Sequence, residues 1–221
     1  MARVPELQQG RYPGFDVMDE RQAWDPVTRS LVAARLRPSP PKTLTAAEAR
    51  TLEAVARQLL AEERTEVLAF VVAHVDGKLR NSRGEGQREA GVPPEPQLVK
   101  QGLRVLDGAA RGGFADLEAS AQRALLSDLA QGRLEPPEAD LTALPDLAAD
   151  LPQKPLFQKL LGLCVEALAS HPALWSEMGY AGPAYPRGYY RMGRGILDPW
   201  EPKPAKKGRT AGPDGRSQER G

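Results

Sequence analysis

The sequence predicts an all-α fold: a compact bundle of about five to six helices, with a long irregular N-terminal arm and a C-terminal loop rich in aromatic residues, proline and glycine. Several segments repeat apolar residues at helical spacing, and none sustains the alternation of a strand. Gly and Pro number 21 each among 221 residues. They concentrate between the periodic segments, where they end helices, so the helices should be joined by irregular connectors.

The first two helices have recognisable starts. Asp25 and Pro26 combine an N-cap residue with a proline at the first helical position, so a helix should run to about Leu36. Its predicted apolar positions are Val27, Leu31, Val32 and Ala34. Thr45 and Glu48 have the spacing of a capping box, and the helix behind them carries a continuous apolar face. That face consists of Ala49, Leu52, Val55, Ala56, Leu59 and Leu60.

Four further helices follow the same spacing. The segment 63–80 is apolar over most of its circumference, which predicts a central position in the bundle. Helices are also predicted over about 95–111, 118–131 and 155–170, each bounded by glycine or proline. The inward positions predicted for 118–131 are Ala121, Ala124, Leu125 and Leu129. Those predicted for the last helix are Phe157, Leu160, Leu161, Cys164, Val165 and Leu168.

The domain organisation predicted from composition has three parts. Residues 1–24 read as an extended arm, and residues 25–200 as one helical domain that includes a loop at 171–200, for which docking to a partner is one of two open functions. Residues 201–221 carry six basic and three acidic side chains and almost nothing apolar. This composition predicts a disordered polar tail.

The stretch from His171 to Tyr190 is the most unusual part of the sequence. It contains four of the five tyrosines and one of the three tryptophans, together with three prolines and three glycines. Such a composition predicts an irregular but well-fixed loop, neither helix nor strand. Two interpretations are equally open: a lid on the protein's own core, or a partner-binding surface, since Tyr, Trp and Arg are enriched at binding hot spots.

Residue chemistry offers no evident reaction centre. With one cysteine and two histidines, the chain can form no internal disulfide and has no zinc or haem motif. Cys164 falls on an apolar stripe and should be a buried, inert thiol. His74 and Asp76 should be structural, and Glu62 and Glu63 solvated. His171 ends a helix, where an imidazolium would be favoured, and a structural hydrogen bond is expected of it. No nucleotide-binding or nucleophile motif is present.

Charge and hydropathy exclude other classes. Thirty basic against 29 acidic residues give a net charge of +1, which does not favour nucleic acid. No apolar run has the length of a membrane-spanning helix, so no direct membrane insertion is expected. The opening Met1-Ala-Arg-Val-Pro5 carries neither a signal peptide nor a twin-arginine pair. The expected location is cytoplasmic, or periplasmic if a partner exports the chain.

Longer motifs resemble a known family. The run Trp175-Ser-Glu-Met-Gly-Tyr-Ala-Gly-Pro-Ala-Tyr-Pro-Arg-Gly-Tyr189, preceded by His171-Pro172, is similar to the C-terminal signature of the gluconate 2-dehydrogenase subunit 3 family. The arm, with Gly14-Phe-Asp-Val17 and Trp24-Asp-Pro-Val-Thr-Arg29, resembles the opening of its leaderless members. Thr45 to Glu48 with Leu52 resembles its first core helix. The resemblance extends over about 12–200.

The resemblance implies a non-catalytic small subunit that binds and stabilises a large oxidoreductase subunit of the glucose-methanol-choline type. That partner would hold FAD and oxidise an alcohol group of a sugar or sugar acid, and a cytochrome c subunit is a further expected partner. This chain would hold no cofactor, metal or catalytic residue. The predicted partner-binding residues are Tyr12, Phe15, Trp24, His171, Trp175, Tyr180, Tyr185, Arg187, Tyr189 and Tyr190.

Two other functions stay open. The chain could be a free-standing helical scaffold or regulatory protein that has no flavoenzyme partner. It could also be an enzyme that uses His171, Glu177 and Arg187 as acid, base and substrate clamp. A flavin-containing complex with a larger subunit would favour the first interpretation, and turnover by the isolated chain would favour the third.

Overall fold

A computed structural model describes residues 12–82, 89–110, 113–135, 151–191 and 193–204. Over these ranges the chain forms α-helices and two short 3-10 helices, and no strand. The all-α prediction is therefore confirmed. The predicted tail from residue 205, the first 11 residues of the arm and most of the connector before the last long helix lie outside the described residues.

The six predicted helices are present close to their predicted bounds, and a short seventh follows them. In chain order they are α1 Pro26–Arg35, α2 Ala46–Leu60, α3 Thr65–Arg80, α4 Glu95–Ala109, α5 Ala119–Gln131, α6 Gln153–Ala169 and α7 Pro172–Met178. The 3-10 helices are Val17–Ala23 in the arm and Phe114–Asp116 before α5.

Local capping explains where α1 and α2 begin. Asp25 Oδ1 accepts hydrogen bonds from the backbone N–H groups of Val27 and Thr28 at 3.0 and 3.1 Å. Thr45 and Glu48 form the predicted capping box, in which each side chain accepts from the other residue's backbone N–H. Both caps satisfy donors that a helix start leaves without partners.

The main core is aliphatic and is built around α2 and α6. Each contacts α3, α4 and α5 as well as the other, and the interior is dominated by Leu, Val and Ala. α3 is buried at all of its predicted apolar positions, as expected for a central helix. Cys164 is fully buried in this core, and burial raises the pKa of its thiol to about 12. The prediction of an inert thiol is thus confirmed.

Three predicted apolar faces are partly wrong. On α1 only Val32 is buried, whereas Val27 and Leu31 are 68% and 62% exposed. Ala124 on α5 is exposed, and Gln122 and Leu126 are buried in its place. On α6 Val165 is half exposed while Leu156, Leu163 and Ala167 face the core. Helical spacing alone does not determine which arc of a helix meets its neighbours.

The segment after α6 was predicted to be irregular throughout, and α7 corrects this. Proline is favoured at the first helical position, because its missing N–H is not needed there, and Pro172 occupies that position. His171 is the N-cap: its Nδ1 accepts from the Ala173 N–H at 3.1 Å. Gly179 ends the helix in the left-handed conformation with φ +73°. Proline and glycine, which exclude a long helix in this segment, therefore mark the two ends of a short one.

Asp76 attaches the proline-rich connector between α1 and α2 to the bundle. Its buried carboxylate accepts hydrogen bonds from the backbone N–H groups of Lys42, Thr43 and Leu44 at 2.7–2.9 Å. Burial acts to raise its pKa, but these three donors outweigh that effect and the pKa is lowered. The prediction of a structural role is confirmed.

A smaller apolar cluster lies apart from the main core. It joins Val17 and Trp24 of the arm, Val32 of α1 and Trp175 of α7, with Phe15 and Met18 packed against it. Through this cluster the arm and the C-terminal motif are folded on each other. Among the described residues, no helix is long and apolar enough to cross a membrane.

Candidate partner-binding surface

The N-terminal arm lies directly on the glycines of the C-terminal motif. A Cβ built on Gly182 would lie 2.8 Å from Trp24 Cε2, so only a glycine lets the indole ring approach this closely. Tyr12 covers Gly179 in the same way, with its Cζ 2.6 Å from a Cβ built there. Both glycines also have positive φ, 73° and 82°. Close approach and backbone conformation thus both require glycine at these positions.

Backbone contacts continue this attachment. Trp24 and Pro186 form an isolated antiparallel bridge. The Val17 N–H donates to Ser176 Oγ of α7 at 3.0 Å, and that hydroxyl donates to the Pro172 carbonyl. The loop after α7 is therefore fixed by the protein's own arm, as expected of an irregular but ordered segment.

Trp175 is the internal anchor of the motif. Its indole N–H donates at 2.8 Å to the carbonyl of Ala169, the last residue of α6. The Tyr180 ring meets it edge to face at a centroid distance of 5.3 Å, and the Arg35 guanidinium lies over its ring at 5.3 Å. Because Trp175 is only 9% exposed, its contacts are made within this chain.

Arg187 joins the arm, the loop and the C-terminal segment. It donates to Glu20 Oε2 at 2.7 Å and to the Ala181 carbonyl at 3.2 Å. Its guanidinium carbon lies 4.3 Å from the centroid of the Trp200 ring, a cation–π contact. With three elements held by one side chain that is largely buried, Arg187 acts as a clamp inside the fold.

Trp200 and Asp198 support the tyrosines from beneath. Tyr190 meets Trp200 edge to face at 5.0 Å, and Tyr189 lies at 6.4 Å from the same ring. Asp198 is buried, and its Oδ2 accepts from the Tyr190 N–H at 3.3 Å. Its Oδ1, together with Trp200 Nε1 and Arg187 Nε, is buried and has no hydrogen-bond partner within the described ranges.

Four tyrosines of the loop remain at the surface, and we call them the tyrosine face: Tyr180, Tyr185, Tyr189 and Tyr190. Tyr185 and Tyr190 are the most exposed, at 72% and 65%. Partial burial raises the pKa of Tyr189, and the charges of Tyr180 and Glu201 act in the same direction. Large rings held outward on a fixed backbone are typical of a protein-binding surface.

The predicted partner-binding residues thus divide into three groups. Trp24, His171 and Trp175 are buried and Arg187 is nearly so, so these four support the loop from within. Tyr12 and Phe15 are half-buried against the motif and the smaller cluster. The tyrosine face is the part whose rings are free to contact another protein. The interpretation of the loop as a lid fits the buried residues, and partner binding by the tyrosine face stays a prediction.

His171 makes the structural hydrogen bond predicted for it, but it caps the start of α7. It is 1% exposed, lies 5.2 Å from the Phe70 ring centroid, and caps α7 through its Nδ1. Burial, reinforced by the charge of Arg64, lowers its pKa to about 4. A cation would be expected at a helix C-terminus, but the imidazole here faces the N-terminus of the next helix, where a neutral acceptor is favoured.

Glu62 was predicted to be solvated but is 3% exposed. Both of its oxygens accept from Arg64, at 2.6 and 2.9 Å, and Arg64 also pairs with Glu177 of α7. Burial acts to raise the pKa of Glu62, but hydrogen bonds from Arg64 and the backbone outweigh it and the pKa is lowered. This Glu62–Arg64–Glu177 cluster connects the start of α3 to α7. Glu63 is exposed as predicted.

The enzyme interpretation receives no support from the described residues. Each proposed group makes separate structural contacts: His171 with its own helix, Glu177 with Arg64, and Arg187 with Glu20, Ala181 and Trp200. Within the described ranges no three His, Cys, Asp or Glu side chains are placed to hold a metal ion.

Sequence reasoning missed several residues of this region. Glu20, Asp198 and Trp200 were not singled out, because their partners are far along the chain or on its irregular C-terminal segment. A weak signal was available for Trp200, since an isolated tryptophan in a polar segment requires a packing partner.

Comparison with known proteins identifies one family. The family model described as Gluconate 2-dehydrogenase subunit 3 matches residues 42–182, more than half of the chain. The match includes α2 to α7 and ends at Gly182, beneath Trp24. No curated protein and no solved structure matches the chain.

Proposed function

The chain belongs to the gluconate 2-dehydrogenase subunit 3 family, and from this membership we propose that it is the non-catalytic small subunit that binds and stabilises a large FAD-dependent oxidoreductase subunit. The family places it as an accessory subunit of a multi-subunit dehydrogenase complex. We further propose that the partner is of the glucose-methanol-choline type, holds the FAD, and oxidises an alcohol group of a sugar or sugar acid.

The observation that carries this proposal is the tyrosine face on its fixed support. Free rings on a mobile loop would lose conformational entropy on binding, whereas these rings stand on a backbone already held by Trp24, Arg187 and the bridge to Pro186. We infer that Tyr180, Tyr185, Tyr189 and Tyr190 contact the large subunit. The buried residues Trp24, His171, Trp175 and Arg187 act as positioning residues for them, with Tyr12 and Phe15 at the edge.

The remaining features of the complex follow the same proposal. A cytochrome c subunit receives the electrons from the flavin, and this chain itself takes no part in the transfer. We propose a cytoplasmic location for the chain, with the periplasm as the destination if the large subunit carries it across the membrane.

Purification of the tagged chain from its native host tests the function. We expect a larger polypeptide to co-purify with the absorption spectrum of a flavin, and the chain expressed alone to be colourless and inactive. Absence of any flavoprotein from the purified material would instead support a free-standing scaffold. Oxidation of a sugar by the isolated chain with an electron acceptor would show that it is an enzyme.

A further inference from the structure

The charge of this chain is unevenly distributed, although its total is near zero. From Arg187 to the C-terminus there are nine basic and four acidic residues, while the preceding 186 residues contain 21 basic and 25 acidic ones. The near-neutral total therefore conceals a basic C-terminal segment behind an acidic body. Charge asymmetry of this kind indicates an oppositely charged partner.

The exposed basic side chains of the described C-terminal segment follow the tyrosine face in the sequence, and Arg191 directly follows Tyr190. Arg191, Arg194 and Lys203 are exposed. The Arg191 guanidinium donates through Nη1 to the Leu197 carbonyl at 3.2 Å, and the side chain remains at the surface.

The acidic residues of the same segment are turned inward. Asp198 is buried beneath Tyr190, and Glu201 is half-buried with its Oε2 accepting from the Asp198 N–H at 2.7 Å. Glu20 of the arm is paired with Arg187. Within the described part of the C-terminal segment, from Arg187 to residue 204, the charged residues that are exposed are therefore all basic.

Three polar atoms below this face have no partner among the described residues: Asp198 Oδ1, Trp200 Nε1 and Arg187 Nε. Buried polar atoms are nearly always hydrogen-bonded, so groups beyond the described part of the chain are expected to reach them. Asp198 and Arg187 belong to residues that are nine-tenths or more buried. The structure thus contains an unfilled polar layer directly behind the tyrosines.

We propose that the tyrosine face with Arg191, Arg194 and Lys203 docks onto an acidic patch of the large subunit, whose polar groups complete the layer around Asp198 and Trp200. This inference rests on the proposed function and specifies the chemistry of the partner surface. Tyrosine rings contribute contact area and the arginines contribute charge attraction, which governs association rate and specificity more than affinity. The occupant is a protein surface rather than an anionic membrane, because outward tyrosines on a rigid backbone match protein pockets.

Charge reversal in the purified complex tests this docking. Arg191→Glu combined with Arg194→Glu is compared with a control that reverses two exposed basic residues on other helices, Arg123→Glu and Lys154→Glu. We expect the first variant to retain at least tenfold less flavoprotein at low salt, and the control to retain as much as the wild type. Raising the salt shortens the Debye length from about 10 Å at 0.1 M to about 3 Å at 1 M. It should therefore weaken flavoprotein binding by the wild type and the control, but not the residual binding by the first variant.

A zero-length carbodiimide cross-link provides a second measurement that needs no variant. Carbodiimide joins an amine to a carboxylate in direct contact, so Lys203 should be linked to Asp or Glu of the large subunit. Cross-links only from lysines of the helices, or equal retention by both double variants, would overturn the docking site while leaving the proposed function intact. Loss of the flavoprotein from the wild type itself would overturn the function.

Two further outcomes would assign the face to a different partner. Sedimentation of the wild-type chain, but not of the double variant, with phosphatidylserine vesicles and without flavoprotein binding would identify an anionic membrane. A salt-sensitive shift of double-stranded DNA lost in the same variant would identify nucleic acid. Either result would contradict the proposal.

Discussion

Replacement of Gly182 by alanine tests the packing of the arm on the C-terminal motif. A new Cβ would overlap the Trp24 ring, and the residue has φ +82°. The left-handed backbone costs a non-glycine residue about 1–2 kcal/mol. Trp24 is 2% exposed and buries about 150–250 Å², which corresponds to about 4–6 kcal/mol at about 25 cal/mol per Å². If accommodating the methyl group re-exposes about a third of the ring, Gly182→Ala loses about 2–4 kcal/mol in total.

Gly188 supplies the matched control. Its φ is +75°, but a Cβ built on it meets nothing within 4 Å. Gly188→Ala should therefore lose only the free energy that the left-handed backbone costs. Chemical denaturation should place Gly182→Ala about 2 kcal/mol below Gly188→Ala in free energy of unfolding. If the arm detaches without unfolding of the bundle, hydrogen exchange at Val17 to Trp24 reports the same difference. Equal losses in the two variants would refute the close packing of Trp24 on Gly182.

Three further predictions concern buried charged or titratable groups. Burial lowers the pKa of His171 to about 4, so the free energy of unfolding should decline by up to about 3 kcal/mol as the pH falls from about 6.5 to about 4. His171→Asn, which keeps an N-cap, should flatten that dependence in acid titrations monitored by circular dichroism. Glu62→Gln removes the buried carboxylate, leaves the partly buried charge of Arg64 poorly paired and should lower the free energy of unfolding by about 2–4 kcal/mol. The control Glu63→Gln, at an exposed carboxylate, should lower it by under about 0.5 kcal/mol. Equal effects of the two variants would contradict the burial of Glu62. Asp76→Ala leaves three backbone N–H donors without an acceptor and should lower the free energy of unfolding by about 3 kcal/mol at neutral pH. Because the folded pKa of Asp76 is lowered below 3.8, its contribution should persist at pH values above about 4 and disappear as the pH falls through the folded pKa. A wild-type-like urea midpoint for the variant would contradict this expectation.

The helices were predictable because their signals are local. The cap at Asp25, the capping box at Thr45 and the apolar spacing of α2 and α3 lie within a few residues of the structure they specify. A helix start needs only its own first turn, so its residues encode it directly. The family resemblance was likewise readable, since the run from Trp175 to Tyr189 is contiguous.

The orientation of helix faces was less predictable. Val27 and Leu31 satisfy helical spacing as well as Val32 does, yet only Val32 is buried. Which arc of α1 packs inward depends on Trp24 and Trp175, which come from the arm and from α7. Information on that contact is not present in the ten residues of α1 itself.

The sequence by itself determined the all-α class, the helix starts, the inert thiol and the membership of a subunit family, because each depends on residue type and short-range spacing. Only the tertiary structure decided which aromatic residues of the C-terminal loop support it and which face outward. It also showed that Glu62, which was predicted to be solvated, is buried, and that Asp198 and His171 are buried as well. Burial and long-range pairing, such as Arg187 with Glu20, arise from contacts between distant segments, and composition along the chain does not encode those distances.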